Sequence, residues 1–165
     1  MKSITFIRHA KSSWADPDLK DFDRPLNSRG KSDAPKMGQR LAVNNIFPDL
    51  IITSPAKRAK ATAYKIAREL NFPHSKIIEE MQLYLSSAKL ISNVIKAVND
   101  DINNLFIFGH NPDIHELVEI LTGKQYNKLP TCSVAHFLLK IDQWKDFKLQ
   151  QSDLVYYSEP KFISP

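Results

Sequence analysis

The sequence predicts an α/β fold in three layers, an αβα sandwich whose mostly parallel central sheet carries helices on both faces. Short apolar strands alternate with amphipathic helices along most of the chain. Polar residues capable of chemistry follow three of these strands, at the carboxyl ends where open α/β sheets bind ligands. The sequence contains no repeat, low-complexity segment or linker, so we expect residues 1–165 to form one domain.

The composition narrows the class of protein. Of 165 residues, 42% are hydrophobic and 25% are charged, which is typical of a globular domain with a substantial core. The net charge of +5 favours anionic partners, but the excess is too small to indicate nucleic acid. The single cysteine, Cys132, excludes an intramolecular disulfide, and no stretch is apolar enough for a signal peptide or a membrane span. We therefore expect a cytoplasmic protein with no nucleic-acid or membrane partner.

The first strand is an apolar run, Ile4–Ile7, that ends directly at Arg8 and His9. His9 can act as a nucleophile and Arg8 can bind phosphate, although polar residues that merely end a strand are the commoner occurrence. Residues 16–32 contain Pro, Asn, Ser and Gly without apolar periodicity and predict a loop. A loop of this length beside a suspected site is often functional.

Two helices and a strand follow this loop. Apolar spacing over residues 34–42 predicts a helix that can hold Pro35 only in its first turn. After a strand over residues 50–53, Ser54 suits the N-cap of a second helix and Pro55 its first position. Arg58 then lies near the amino end of that helix, where free N–H groups favour an anion. An exposed arginine on a basic helix face is the alternative.

The rest of the chain continues the alternation. Gly109-His110-Asn111-Pro112 resembles the earlier segments around His9 and Pro55. It places an imidazole just after a strand and Pro at the first turn of a helix. The last two predicted elements are strands, joined by a hairpin-like connection around Trp144. The remaining predicted elements are strands over 76–78, 104–108, 134–141 and 149–156 and helices over 90–98 and 114–121.

Four of these residues should meet at one place. If the strands are parallel in one sheet, Arg8, His9, Arg58 and His110 come to the same edge. Two guanidinium groups and two imidazoles repel one another there unless an anion lies among them. Phosphate fits best, because guanidinium forks match its oxygens.

The sequence resembles the histidine phosphatase superfamily, also called the phosphoglycerate mutase-like family. Arg8-His9-Ala10 matches its Arg-His-Gly signature with Ala in place of Gly, and Leu26–Gly30 resembles its Leu-Thr-x-x-Gly segment. Residues 54–63, Ser-Pro-Ala-Lys-Arg-Ala-Lys-Ala-Thr-Ala, resemble its Ser-x-x-x-Arg-Ala-x-x-Thr-Ala segment, and residues 109–112 resemble the second-histidine motif. The short length and the Gly-His-Asn-Pro sequence look most like the SixA-type phosphohistidine phosphatases.

The resemblance implies a role for each matching residue. His9 would be the nucleophile, phosphorylated transiently. Arg8, Arg58 and His110 would hold the phosphoryl oxygens, with help from Ser12. Catalysis of this kind depends on positioning and electrostatic stabilisation, so we expect no metal and no cofactor.

The proton donor is less defined. Many phosphatases of the superfamily carry an acidic residue in a loop, and here the nearest candidates are Glu79 and Glu80. We assign the role to Glu80, with a solvated loop charge as the alternative. The SixA-type enzymes generally lack the usual acid. Ala15 stands where the mutase branch has Asn, which argues against a mutase.

The sequence therefore predicts a metal-independent phosphatase that works through a phosphohistidine intermediate on His9. The favoured substrate is phosphohistidine in a protein partner. Two alternatives stay open, a phosphatase of small-molecule phosphate esters and a phosphate-binding module without turnover. The intact set of Arg8, His9, Arg58 and His110 argues against the module.

Overall fold

The computed structural model of the protein describes residues 1–161, in which six strands form one sheet and four α-helices pack against it. The predicted domain extends to Pro165, so its last four residues, 162–165, lie outside the described part. None of the described helices is both long and apolar enough to cross a membrane. The strands are β1 (Lys2–Arg8), β2 (Leu50–Thr53), β3 (Ile77–Glu79), β4 (Asn104–Gly109), β5 (Val134–Leu139) and β6 (Asp153–Ser158), and the helices are α1 (Ser28–Val43), α2 (Lys57–Glu69), α3 (Ala88–Lys96) and α4 (Asp113–Thr122).

The strand order across the sheet is β3-β2-β4-β1-β5-β6. Strands β3, β2, β4 and β1 run parallel to one another, whereas β5 runs antiparallel to both β1 and β6. The sheet is thus mostly parallel, as predicted. Because β2, β4 and β1 are adjacent and parallel, their carboxyl ends lie side by side, and this edge carries the residues that the sequence singled out.

Helices cover both faces of the sheet, which confirms the predicted three-layer architecture. Successive side chains of a strand point to opposite faces, so Phe6 and Ile7 belong to different cores. Phe6 packs in a core that includes residues of α3 and α4, such as Leu117. Ile7 packs in a core that includes residues of α1 and α2, such as Met37 and Ile66. The central strands are buried on both sides, as a parallel sheet requires.

Helix α1 begins earlier than the sequence indicated. The Asn27 side chain accepts a hydrogen bond from the Gly30 N–H at 2.9 Å and caps a helix that starts at Ser28. The prediction of a loop to residue 32 is therefore wrong over its last residues. Pro35 lies inside the helix rather than in its first turn.

Helix α2 begins later than predicted, at Lys57, with Ala56 at the N-cap position. Ser54 and Pro55 therefore do not start the helix, so that assignment is wrong. The buried Ser54 hydroxyl lies 2.7 Å from the His110 ring instead. At the other end of the chain, β6 begins at Asp153 rather than at Leu149, after a connection whose Trp144 is fully buried.

The glycine that ends the Leu26–Gly30 segment has a steric reason to be glycine. A Cβ atom at Gly30 would lie 2.1 Å from the Lys11 carbonyl oxygen. That oxygen also accepts the Asn27 N–H at 3.0 Å. The start of α1 is thus packed directly on the backbone that follows His9.

Replacing Gly30 with Ala should destabilise the protein by about 1–3 kcal/mol, the usual range for overpacking, because the obstacle is backbone. The free energy of unfolding in urea measures the loss. Gly109→Ala is the matched control, since its Cβ would meet only the side-chain end of Ile114 at 3.2 Å. Gly30→Ala should cost clearly more than Gly109→Ala, and equal losses would refute the steric explanation.

Candidate active site

A cleft of about 490 Å³ lies at the carboxyl edge of the parallel strands. Arg58 and His110 line it together with Asp21 and Tyr84. His9 contacts both Arg58 and His110, with its ring centroid 5.1 Å from that of His110. The predicted meeting of His9, Arg58 and His110 at one edge of the sheet is thus present in the structure.

The His9 ring is held in one orientation and one tautomer. It is only 7% exposed, and its Nδ1 lies 2.7 Å from the carbonyl oxygen of Ala10. A carbonyl can only accept, so we assign the ring proton to Nδ1. Nε2 then carries a lone pair, and the Nε–H of Arg58 points at it from 3.4 Å. The atom available for nucleophilic attack is therefore Nε2.

The neighbouring backbone holds this histidine in place. The His9 N–H donates to the Gly109 carbonyl at 3.0 Å, which ties the end of β1 to the end of β4. The Cys132 N–H donates to the carbonyls of Arg8 and His9 at 3.1 and 3.0 Å. Cys132 reaches this position with a φ of 62°, in the left-handed region.

His110 is oriented by a hydroxyl group. Its Nε2 lies 2.7 Å from Ser54 Oγ, which also accepts the Ala56 N–H at 3.3 Å. The Ser54 hydroxyl can donate its own proton to Nε2, and we assign His110 the tautomer that carries the ring proton on Nδ1. Nδ1 has no partner among the described residues although it is buried. It is an N–H donor beside His9 that an anion would satisfy.

Arg8 provides a second donor of this kind. Its Nη1 donates to the Leu129 carbonyl at 2.8 Å, a contact that fixes the guanidinium group. Its Nε is buried and, within residues 1–161, has no partner. Buried donors without partners are uncommon in folded proteins. Their presence next to His9 indicates a site built for oxygen acceptors.

The electrostatics of the cluster keep both imidazoles neutral. Burial lowers the pKa of His9 from its ordinary 6.5 to about 3, and the positive groups around it, with Arg58 and Arg8 among them, act in the same direction. Burial and the charge of Arg58 lower the pKa of His110 to about 4. Burial, with the charge of Arg58, also lowers the pKa of Arg8. At neutral pH, His9 is therefore an uncharged base.

Asp21 is the residue at the site that sequence reasoning missed. Its Oδ2 lies 3.0 Å from Arg58 Nη2 and accepts the Tyr84 hydroxyl at 2.7 Å. Its Oδ1 accepts two N–H groups of Arg24 at 3.1 and 3.2 Å. Burial alone would raise the pKa of Asp21, but hydrogen bonds from Tyr84 and Arg58 and the charge of Arg58 lower it to about 2. At neutral pH, Asp21 is therefore an ionised carboxylate that has no proton to donate.

The sequence offered only an indirect signal for Asp21. The loop over residues 16–32 was expected to be functional because of its length and position, but it contains four aspartates. Only the 3₁₀ turn over Asp21–Asp23 shows which of them faces Arg58. No spacing rule distinguishes them in sequence.

Ser12 and Glu80 have other contacts. The Ser12 Oγ accepts the Nη1–H of Arg24 at 2.7 Å, so Ser12 holds the arginine that holds Asp21. The Glu80 carboxylate accepts the Gln82 N–H at 3.1 Å and lines a different groove, with Leu50 among its neighbours. Its role as proton donor stays a prediction that these contacts do not support. No group of three or more His, Cys, Asp or Glu side chains in the described part of the chain is arranged to hold a metal ion.

Replacing His9 with Gln should make the folded protein less sensitive to acid. The pKa of His9 is about 3 in the folded protein and about 6.5 in the unfolded chain, so the unfolded chain takes up the proton first as the pH falls. The His9 imidazole therefore lowers the free energy of unfolding as the pH falls from about 7 to about 3. At pH 5 this loss is about 2 kcal/mol.

Urea unfolding at pH 7.5 and pH 5 in phosphate-free buffer measures the effect. The loss on acidification should be about 2 kcal/mol smaller in His9→Gln than in the wild type. The pH 7.5 values serve as the internal control. Equal losses in the two proteins would contradict the assignment of His9 as a buried neutral base.

Comparisons with known proteins found similarity in both sequence and fold. A family model described as histidine phosphatase superfamily (branch 1) matches residues 4–84. An uncharacterized chloroplastic protein of Arabidopsis thaliana is 29% identical over 153 residues, covering 88% of this chain and 70% of that protein.

Two solved structures extend the similarity to nearly the whole chain. A structure assigned as the phosphohistidine phosphatase SixA of Agrobacterium tumefaciens has a TM-score of 0.83 at 25% identity, covering 96% of this chain and 98% of that one. The protein histidine phosphatase SixA complexed with tungstate has a TM-score of 0.80 at 20% identity, covering 96% and 97% of the two chains. In its motifs, its fold and these matches, the chain is similar to members of the histidine phosphatase superfamily.

Proposed function

We propose that the protein is a phosphatase in which His9 accepts the phosphoryl group and then passes it to water, and that its favoured substrate is phosphohistidine in a protein partner. The observation that carries this proposal is the neutral His9, whose Nε2 lone pair faces Arg58. A nucleophile that is uncharged at neutral pH needs no separate base to activate it.

The surrounding donors fit the phosphoryl group. Arg8 Nε and His110 Nδ1 are N–H donors without partners in the described structure, and Arg58 adds a guanidinium fork. In phosphoryl transfer, charge spreads over the three equatorial oxygens, and fixed donors around them stabilise the transition state. We propose that these side chains make a metal ion and a cofactor unnecessary. That the SixA relative was solved as a tungstate complex supports an oxyanion as a ligand here.

The reaction follows from this arrangement. His9 Nε2 attacks phosphorus, the bond from phosphorus to the leaving group breaks, and its electron pair goes to the leaving atom. Water then attacks the phosphohistidine, releases inorganic phosphate and restores neutral His9. Arg8, Arg58 and His110 hold the phosphoryl oxygens in both steps.

The acid–base groups at the site favour P–N over P–O substrates. An alkyl ester leaves as an alkoxide and needs a proton donor, which is worth about 10²–10⁴-fold in rate. Asp21 is ionised, with a pKa of about 2, and Glu80 caps a turn elsewhere. An imidazole leaves far more readily, because its ring accepts and holds a proton near neutral pH.

The surroundings of the cleft suit a side chain presented by a protein. Leu85, on the cleft wall, is 83% exposed. Trp14 is 73% exposed and stacks on Arg24 at 3.5 Å. Exposed large apolar side chains beside a binding cleft are typical of interaction surfaces. The cytoplasmic location and the lack of nucleic-acid or membrane partners stay predictions.

Turnover of a phosphohistidine-containing protein beside a panel of phosphate esters tests the proposal. The wild type should have a higher kcat/KM for phosphohistidine than for alkyl esters, with aryl esters between them, because the leaving groups differ in their need for a proton. His9→Ala should abolish turnover of every substrate while the circular dichroism spectrum stays that of the wild type.

Glu80→Gln is the control for this experiment. It should change phosphohistidine turnover by less than about twofold, because imidazole departure needs little acid help. Faster turnover of alkyl esters than of phosphohistidine, with a strong loss in Glu80→Gln, would favour the small-ester phosphatase. Wild-type activity in His9→Ala would refute the mechanism.

Anion binding gives an independent prediction. Phosphate or tungstate should raise the Tm of the wild type by mass action, with about 2.7 kcal/mol of stabilisation at a concentration of 100 times Kd. Arg58→Lys should weaken this effect, because lysine keeps the charge but lacks the bidentate fork. Arg68→Lys, on an exposed part of the same helix, is the matched control. Equal stabilisation in Arg58→Lys and wild type would contradict the assignment, and strong binding without turnover would favour the phosphate-binding module.

A further inference from the structure

We infer that Asp21 determines substrate specificity, by accepting a hydrogen bond from the free ring N–H of a phosphorylated imidazole and so stabilising the form of the substrate that departs as neutral imidazole. This inference rests on the proposed function, because it concerns the leaving group of the same reaction. Asp21 belongs to no motif that identified the family.

Asp21 and His9 contact different nitrogens of the same guanidinium group. Arg58 separates the two groups, with its Nε 3.4 Å from His9 Nε2 and its Nη2 3.0 Å from Asp21 Oδ2. Nucleophile and leaving group lie roughly in line on opposite sides of phosphorus. A phosphoryl group gripped by Arg58 and attacked by His9 therefore releases its leaving group into the cleft that Asp21 lines.

The carboxylate is accessible and has a second anchor besides Arg58. The Asp21 side chain is 47% exposed, and it lines the cleft. Arg24 grips Oδ1 through two N–H groups, and Arg24 is itself fixed by the Ser12 hydroxyl at 2.7 Å. When the Arg58 fork turns to phosphoryl oxygens, Asp21 keeps its anchor. Oδ2 then loses one of its two donors and keeps the Tyr84 hydroxyl, which leaves a lone pair for the substrate.

Asp21 Oδ2, as a hydrogen-bond acceptor, can assist the departure of the substrate imidazole. The lone pair of His9 Nε2 forms the new P–N bond, and the electron pair of the breaking P–N bond returns to the substrate ring. If the other ring nitrogen carries a proton, the ring departs as neutral imidazole; if it does not, the ring must depart as an imidazolate anion. A carboxylate beside that N–H favours the protonated ring. No proton is transferred from the enzyme in this step.

The same carboxylate discriminates against esters. An alkyl or aryl ester brings no N–H to this position, so Asp21 only places a negative charge near an anionic phosphoryl group. Specificity then comes from repulsion as well as attraction. The groups that face Asp21 are Arg24, Arg58, Tyr84 and, nearby, His110. The two arginines and the Tyr84 hydroxyl keep it ionised, with a pKa of about 2.

Asp21→Asn, assayed with free phosphohistidine and with p-nitrophenyl phosphate, tests the inference. The kcat/KM for phosphohistidine should fall by about 10–100-fold, the loss that follows from removing a charge-assisted hydrogen bond. The kcat/KM for p-nitrophenyl phosphate should rise, because a negative charge has been removed. Asp23→Asn, an exposed carboxylate in the same 3₁₀ turn, is the matched control and should change neither value by more than about twofold.

The pH profile adds a readout that a merely structural role would not move. In the wild type, Asp21 raises the pKa of the bound substrate ring, so the alkaline limb of kcat for phosphohistidine should shift to lower pH in Asp21→Asn. The alkaline limb for p-nitrophenyl phosphate should not shift in the same way.

Each other outcome has a distinct meaning. Parallel losses for both substrates would overturn the inference, because they would show that Asp21 serves only to hold Arg58. A larger loss for esters than for phosphohistidine would overturn it in favour of a proton-donating Asp21. A wild type that turns over esters but not phosphohistidine would refute the proposed substrate class itself, whatever Asp21→Asn does.

Discussion

The candidate active site depends on the burial of two imidazoles among arginine side chains at the ends of three parallel strands. Burial disfavours the charged form of each imidazole, and the guanidinium charges reinforce this, so His9 and His110 are neutral at neutral pH. Neutral His9 has the lone pair that the proposed nucleophile needs, and neutral His110 can donate through Nδ1 when Ser54 satisfies Nε2. The strand order β2-β4-β1 is what makes this possible, since it brings three strand ends together.

The ion pair between Asp21 and Arg58 gives the site an anion of its own. The loop after β1 returns to the cleft, and its carboxylate compensates the charge of Arg58. Ser12 and Arg24 hold that loop in position, and Trp14 covers Arg24. A phosphoryl group must therefore share or replace an existing partner at Arg58. Binding at this residue is an exchange of anions rather than a simple gain of one.

The parts of the structure that follow from local rules were predictable from the sequence. The apolar runs predicted the strands. The polar residues at the strand ends predicted that Arg8, His9, Arg58 and His110 lie close together. Ser54 shows where local rules fail: its serine-proline sequence is a good helix start, but its hydroxyl is committed to His110 by a tertiary contact. Local rules fail for Asp21 as well, because long-range hydrogen bonds to Arg58 and Tyr84 place it at the site.

The donors at this site differ in how ready they are for an oxyanion. Arg8 Nε and His110 Nδ1 have no partner in the described part of the protein, so an oxyanion at either atom displaces no existing hydrogen bond. Such preorganised donors stabilise any transferring phosphoryl group, whatever it is attached to. Arg58 is different, because Asp21 and Tyr84 form one hydrogen-bonded group with it. In the mechanism that we propose, Arg8, His9 and His110 act on any substrate, whereas Arg58 first exchanges Asp21 for a phosphoryl oxygen and so leaves Asp21 to discriminate between leaving groups.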